Sequence, residues 1–150
     1  MATREEIYVA LWNLLTEDPR VKGKFVTTSR YLQHFDEVPQ EQMPALFITQ
    51  TGEQWERTGR GVSFTRTLLS HLVLYDFSAS PKTASPYQAT LVNAMMEVIS
   101  DTFTDVGTPE NAQTLGGLVY QAFVEGEVIM AEGLLQGKSV LVVPIKIIMP

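Results

Sequence analysis

Cysteine is absent from this chain of 150 residues. That excludes a disulfide framework and any metal site built on thiolates, and it fits a reducing compartment. Long apolar runs are missing too. The longest, such as Val140-Leu141-Val142-Val143-Pro144-Ile145, falls far short of the roughly 20 residues a membrane span needs. The start, Met1-Ala2-Thr3-Arg4-Glu5-Glu6, has no basic stretch ahead of an apolar one, so no secretory signal is expected. Cations are missing over a third stretch: from Thr83 to Gly137 there is no Lys or Arg. The same span holds Glu97, Asp101, Asp105, Glu110, Glu125, Glu127 and Glu132. A solvated acidic face is the plain reading of that asymmetry. The sharper one is a chain with two poles, suited to head-to-tail contact between identical subunits.

What is present belongs to a folded protein. Apolar residues make up 45% and charged residues 19%, and the length suits a single domain over residues 1–150. A net charge of -6 argues against broad binding to a phosphate backbone. Thr3 and Glu6 have capping-box spacing, and Ile7, Ala10, Leu11, Leu14 and Leu15 then follow at helical spacing, with Tyr8 and Trp12 beside the stripe. Glu17-Asp18-Pro19 should end this helix. Ser85-Pro86 should open a second one, whose apolar face is Leu91, Val92, Met95, Met96, Val98, Ile99 and Phe103.

The remaining elements read as strands. Phe25–Tyr31 is the first, followed by an acidic connector, Leu32–Pro39. Pro44–Thr51 and Phe64–Phe77 form a hairpin around a polar loop, Gly52–Gly61. In the second hairpin strand Leu68, Ser70, Leu72 and Leu74 share one face, and Leu69, His71, Val73 and Tyr75 the other. Leu118–Glu125 continues into Gly126–Glu132, with Gly126 a candidate bulge. Ser139–Met149 is the last strand. Because Pro144 cannot donate to a ladder, that strand is expected at an edge, or Pro144 at a bulge. The fold class is therefore α+β: an antiparallel sheet, mixed at most, with two α-helices packed on one face and a long β-hairpin arm.

Chemistry-bearing constellations are sparse. His34, Asp36 and Glu37 lie close in sequence, which would suit a metal site or a small hydrolase, but a solvated turn explains them as well. His71 reads as a hydrogen-bonded strand histidine. Ser29, Ser70 and Ser139 are the hydroxyls that would have to meet either histidine, yet no G-x-S-x-G elbow occurs. Gly59-Arg60-Gly61 lacks the longer pattern of a phosphate loop. No catalytic residue, metal or other cofactor is expected. The hairpin loop is more informative, because Glu53, Trp55, Glu56, Arg57 and Arg60 crowd one tip, and Trp and Arg most often carry interface energy. The interface candidates are Trp55, Glu56, Arg57, Arg60 and Arg66, joined by Ile147 and Met149 on the expected edge strand.

The chain resembles a family of small tailed-bacteriophage tail proteins, the tail terminator or tail completion type. Three blocks carry the resemblance. The first is Ser29-Arg30 with Phe35-Asp36-Glu37-Val38-Pro39 and Pro44-Ala45-Leu46-Phe47; the second is Leu72-Val73-Leu74-Tyr75. The third is Gln113-Thr114-Leu115-Gly116-Gly117-Leu118-Val119, then Glu125-Gly126-Glu127, Glu132-Gly133 and Val143-Pro144-Ile145. The resemblance implies a structural virion protein at the head-proximal end of the tail, assembled in the host cytoplasm. Such a protein forms a ring, a hexamer in this family, that docks on the tail tube protein and stops its polymerisation. The ring presents a surface to the head-completion or connector protein, and DNA only passes through its lumen. A neighbouring head–tail joining component is the alternative, and no membrane is involved.

Overall fold

The Thr3 hydroxyl accepts from the Glu6 backbone N–H, and the Glu6 carboxylate accepts from the Thr3 N–H. This reciprocal box satisfies free donors at the start of helix α1, Arg4–Thr16. The computed structural model describes residues 2–34, 37–57, 64–77, 90–103, 113–135 and 138–150. After α1 come β1 (Thr27–Ser29), β2 (Ala45–Arg57), β3 (Phe64–Phe77), α2 (Thr90–Phe103), β4 (Gln121–Val124), β5 (Ile129–Leu135) and β6 (Lys138–Ile148). One 3-10 turn, Gln40–Gln42, precedes β2. Asp36, the Gly59-Arg60-Gly61 tip, the Ser78–Ala84 loop, the Ser85-Pro86 cap, Asp105, Gly107 and Pro109 lie outside the described residues.

All six strands join one sheet in the order β1-β2-β3-β6-β4, with β5 also on β6. Only β1 runs parallel to its neighbour; the other pairings are antiparallel. The α+β reading with a mostly antiparallel, mixed sheet is what the structure shows. Leu68, Leu72 and Leu74 of β3 alternate onto the face that also carries Leu141, Val143, Ile145 and Ile147 of β6. There they pack with Ile7, Leu11 and Leu15 of α1 and Val92, Met95, Val98 and Ile99 of α2 in one buried cluster. Each such side chain contributes roughly 1.5–3 kcal/mol when fully buried, so this layer holds the helices.

The opposite face is not left bare. Ala45, Phe47, Val73 and Tyr75 cluster there with Val38 and Met43 from the connector. The Tyr75 hydroxyl donates to the Gln33 carbonyl at 2.9 Å. The connector is thus a partial second layer, which its acidic, proline-containing sequence did not announce. The first strand is also shorter than its β-forming run: three residues of Phe25–Tyr31, Thr27–Ser29, pair with Ala45, Leu46 and Phe47 of β2.

Of the two expectations about the last strand, the edge position is overturned and the bulge at Pro144 holds. β6 is interior, with β3 on one side and β4 and β5 on the other. Pro144 is tolerated because it falls where the second ladder is interrupted. Val124 faces Ile145 and Ile129 faces Val142, so five chain steps on one side meet three on the other. Two residues are extra, and Gly126 sits among them with φ +120. A Cβ at Gly126 would stand 3.2 Å from Pro144 Cγ. β4 and β5 are therefore one strand bent by a bulge that shelters the missing donor.

An acidic oddity also resolves. Asp101 gains nothing from the dipole at the end of α2, yet its carboxylate accepts from Arg20 at 2.6 Å, tying α2 to the segment after α1. Both groups are solvent-exposed, so the pair adds little to stability.

Candidate functional site

The hairpin strands run further than their sequence suggests. Gly52 to Arg57 belongs to β2, paired with β3 up to Arg57 opposite Phe64, so the expected ten-residue loop is mostly strand. The register slips by one residue between Gln50 and Gly52. That bulge inverts the alternation of β2. Without it Gln54 and Glu56 would face the helix side; with it Glu53, Trp55 and Arg57 do, beside Leu68, Arg66 and Phe64. The ladder between β3 and β6 stops at Thr67 opposite Ile148, followed by one bond from Met149 N–H to the Arg66 carbonyl at 2.9 Å. Past that point the arm is a two-stranded ribbon.

On the ribbon the Trp55 and Phe64 rings lie 5.6 Å apart, tilted by 57°. Arg66 stacks its guanidinium 5.0 Å above Trp55, and Arg57 lies 5.5 Å from Phe64. Such cation–π contacts at exposed sites are worth about 0.5–1 kcal/mol each. They order the cluster without burying it: Trp55 remains 56% exposed and Phe64 47%.

The ribbon's base is pinned to α1. The Trp55 indole N–H donates to Glu53 at 2.9 Å, and Arg4 forms a two-point pair with the same carboxylate. Arg4, then the indole, hold the Glu53 carboxyl below its ordinary range. Next to it, Arg30 donates to Glu5 at 2.6 Å and lies 5.4 Å over the Tyr8 ring. Arg30 likewise holds the Glu5 carboxyl low. Tyr8 donates to the Leu69 carbonyl at 3.2 Å, and burial, then the Glu53 charge, push its phenol up to about 12.

A pH dependence follows from the sign of the Glu53 shift. A carboxyl lowered in the folded state stabilises above its ordinary pKa, about 4.3, and loses that contribution as pH falls through the folded value. Trp55 fluorescence, read in a Trp12→Phe background, is expected to shift below about pH 4.3 as the pin releases. Glu53→Gln should abolish the shift; an unchanged acid response in that variant would contradict the pin.

Of the interface candidates, Trp55, Arg57 and Arg66 come together in this cluster. Glu56 is exposed but points to the ribbon's other face, and Arg60 lies outside the described residues. Ile147 and Met149 require correction. They are 0% and 6% exposed, because β6 is central and its odd-numbered residues face the helices, so they are core. Phe64 and Arg4 were missed. Finding Phe64 needed the register, and the register needed the bulge.

The other candidate chemistry does not assemble. His34 and Glu37 are both exposed, joined by a bond from Glu37 N–H to the His34 carbonyl at 2.8 Å, and Asp36 lies outside the described residues. No group of three or more metal-ligating residues occurs among the described residues. Ser70 is buried and donates to the Thr49 carbonyl at 2.8 Å, while the Ser29 hydroxyl accepts from Tyr31 N–H at 3.0 Å. Ser139 is buried and His71 half-buried.

The fold and arm define a class: a mixed-sheet α+β protein with a projecting aromatic–arginine hairpin. No family model matches the chain, and no curated protein matches it.

Proposed function

We propose that this chain is a structural protein of a tailed-bacteriophage tail, forming a ring at the head-proximal end of the tail tube. The ring ends tube polymerisation and offers a docking surface to the head connector. The observation that carries the reading is the arm: two half-exposed aromatic rings and two stacked arginines, held in fixed geometry on a ribbon outside the sheet. Exposed rings of this size add nothing to the core of one chain, and Trp and Arg are the types that dominate interface energies. Pre-ordering by Glu53 and Arg4 lowers the entropy lost on docking. The resemblance carried by three sequence blocks, spread over nearly the whole chain, supplies the context.

Ring closure needs two different complementary faces on each subunit. The arm and the cation-free span supply faces of different chemistry. A tube-length assay tests the reading. Tail tube protein polymerised with this chain should give tubes capped at one end, and without it tubes of unlimited length. Equal length distributions under both conditions would overturn the assignment.

A further inference from the structure

The sheet has two open edges of opposite character, and the inference concerns how they meet. β1 covers β2 only at Ala45, Leu46 and Phe47. From Ile48 to Arg57, β2 has β3 on one side and no strand on its other side among the described residues. At the far end of the sheet, the bent β4–β5 strand has no strand other than β6 beside it among the described residues; on β4 the Ala122 N–H donates to the Gln113 carbonyl at 2.8 Å, and β5 carries the open stretch. An uncovered edge presents a row of unpaired N–H and C=O groups.

The β2 edge is shaped as a groove. Two adjoining hollows, about 540 and 330 Å³, share Gln50 and run along the edge from Tyr31 to Glu53. α1 supplies Glu5 and Tyr8 to their walls, and the segment after β1 supplies Arg30 and Tyr31. Exposed apolar side chains gather at the same two edges. Tyr31, 85% exposed, Leu32 and Val26 flank β1, while Tyr120, Ile129 and Met130 border or belong to β4–β5. With Trp55 and Phe64 of the arm, they leave only Val9 elsewhere among the exposed large hydrophobic residues described. The ion pairs at these edges close within the chain: Arg4 with Glu53 and Arg30 with Glu5 at the groove, and Lys146 with Glu125 beside β4–β5.

Strand direction permits unlike edges to join around a ring. β2, β3, β6 and β4–β5 alternate in direction. Four alternating strands leave the two open edges running oppositely. A copy related by rotation about an axis near the strand direction would therefore lay its β4–β5 edge antiparallel to β2. A two-fold pair would join like edges instead.

We infer that the groove along β2 from Ile48 to Glu53 takes the β4–β5 edge of a second copy of this chain as an added antiparallel strand. This rests on the ring reading above and names the surface that closes the ring. Backbone bonds give the added strand its hold. Tyr120, Ile129 and Met130 supply apolar cover.

Cysteine pairs test it cleanly, because the chain has none of its own. Gln50→Cys and Gln54→Cys probe one edge; Gln121→Cys, Glu125→Cys and Glu127→Cys probe the other. These are polar surface positions, and a circular dichroism spectrum confirms each fold. Variants are mixed pairwise, oxidised with diamide and separated by mass, since facing positions on neighbouring strands approach disulfide range. The expected result is cross-linking between unlike edges at least tenfold above like-edge pairs. The best partner of Gln54→Cys should lie earlier in the chain than that of Gln50→Cys, as antiparallel order requires. A closed oligomer without unlike-edge cross-links would overturn the strand addition and leave the ring reading intact. A chain that stays monomeric both alone and with tail tube protein would overturn both.

Discussion

Replacing Trp55, Arg57 and Arg66 together by alanine is expected to turn the proposed ring into monomers while the fold survives. Interface residues of these types, set at the centre of a contact, cost about 2 kcal/mol or more on truncation, roughly a thirtyfold loss of affinity each. Three of them acting in one cluster should push assembly beyond micromolar working concentrations. The fold should tolerate the loss. The ribbon past Thr67–Ile148 lies outside the ladder of β6, and Trp55 and Phe64 are half exposed already. Exposed substitutions usually stay within about 0.5 kcal/mol. Sedimentation velocity reads the first effect and thermal unfolding the second. A variant that still assembles with wild-type affinity would remove the arm from the interface.

The second large effect goes the other way. Ile147→Ala is expected to destabilise the fold by about 2–5 kcal/mol, because a fully buried isoleucine on the helix face of a central strand leaves a cavity that its neighbours fill only in part. For a chain of this size that lowers the unfolding midpoint on the order of 10 °C. Assembly measured at low temperature, where the variant stays folded, should be unchanged. The contrast matters because sequence reasoning puts Trp55 and Ile147 in the same interface set. The Trp55 cluster variant is expected to separate the subunits of the proposed ring, and the Ile147 variant to unfold the chain. An Ile147→Ala protein of wild-type stability would contradict the interior placement of β6.

Why those two residues part company shows what the sequence could convey. Period-2 alternation in Phe64–Phe77 gave both faces of β3 correctly, since Leu68, Leu72 and Leu74 meet the helices. The Thr3–Glu6 box and the stripe of α1 were equally local signals, complete within a few residues. Strand order is not local. Pro144 argued for an edge or a bulge, and only the gap opposite it, made by two extra residues around Gly126, decides for the bulge inside the sheet. The arm shows the same limit. Its residue types were legible, but which of Trp55 and Glu56 faces Arg66 depends on one bulge near Gly52, and a one-residue slip exchanges the faces. The pin from Arg4 to Glu53 joins residues 49 positions apart, and no pattern of spacing connects them. Likewise the connector's Val38 and Met43 reach Phe47 and Tyr75 only after the chain has turned back over the sheet.

Ring formation is the claim on which the rest depends, and native mass spectrometry tests it most directly. The chain weighs 16.7 kDa. Alone, or on contact with tail tube protein, it should appear as a single closed oligomer, with the resemblance favouring about six copies of 16.7 kDa. A species fixed at 16.7 kDa at every concentration, with and without tube protein, would contradict the account.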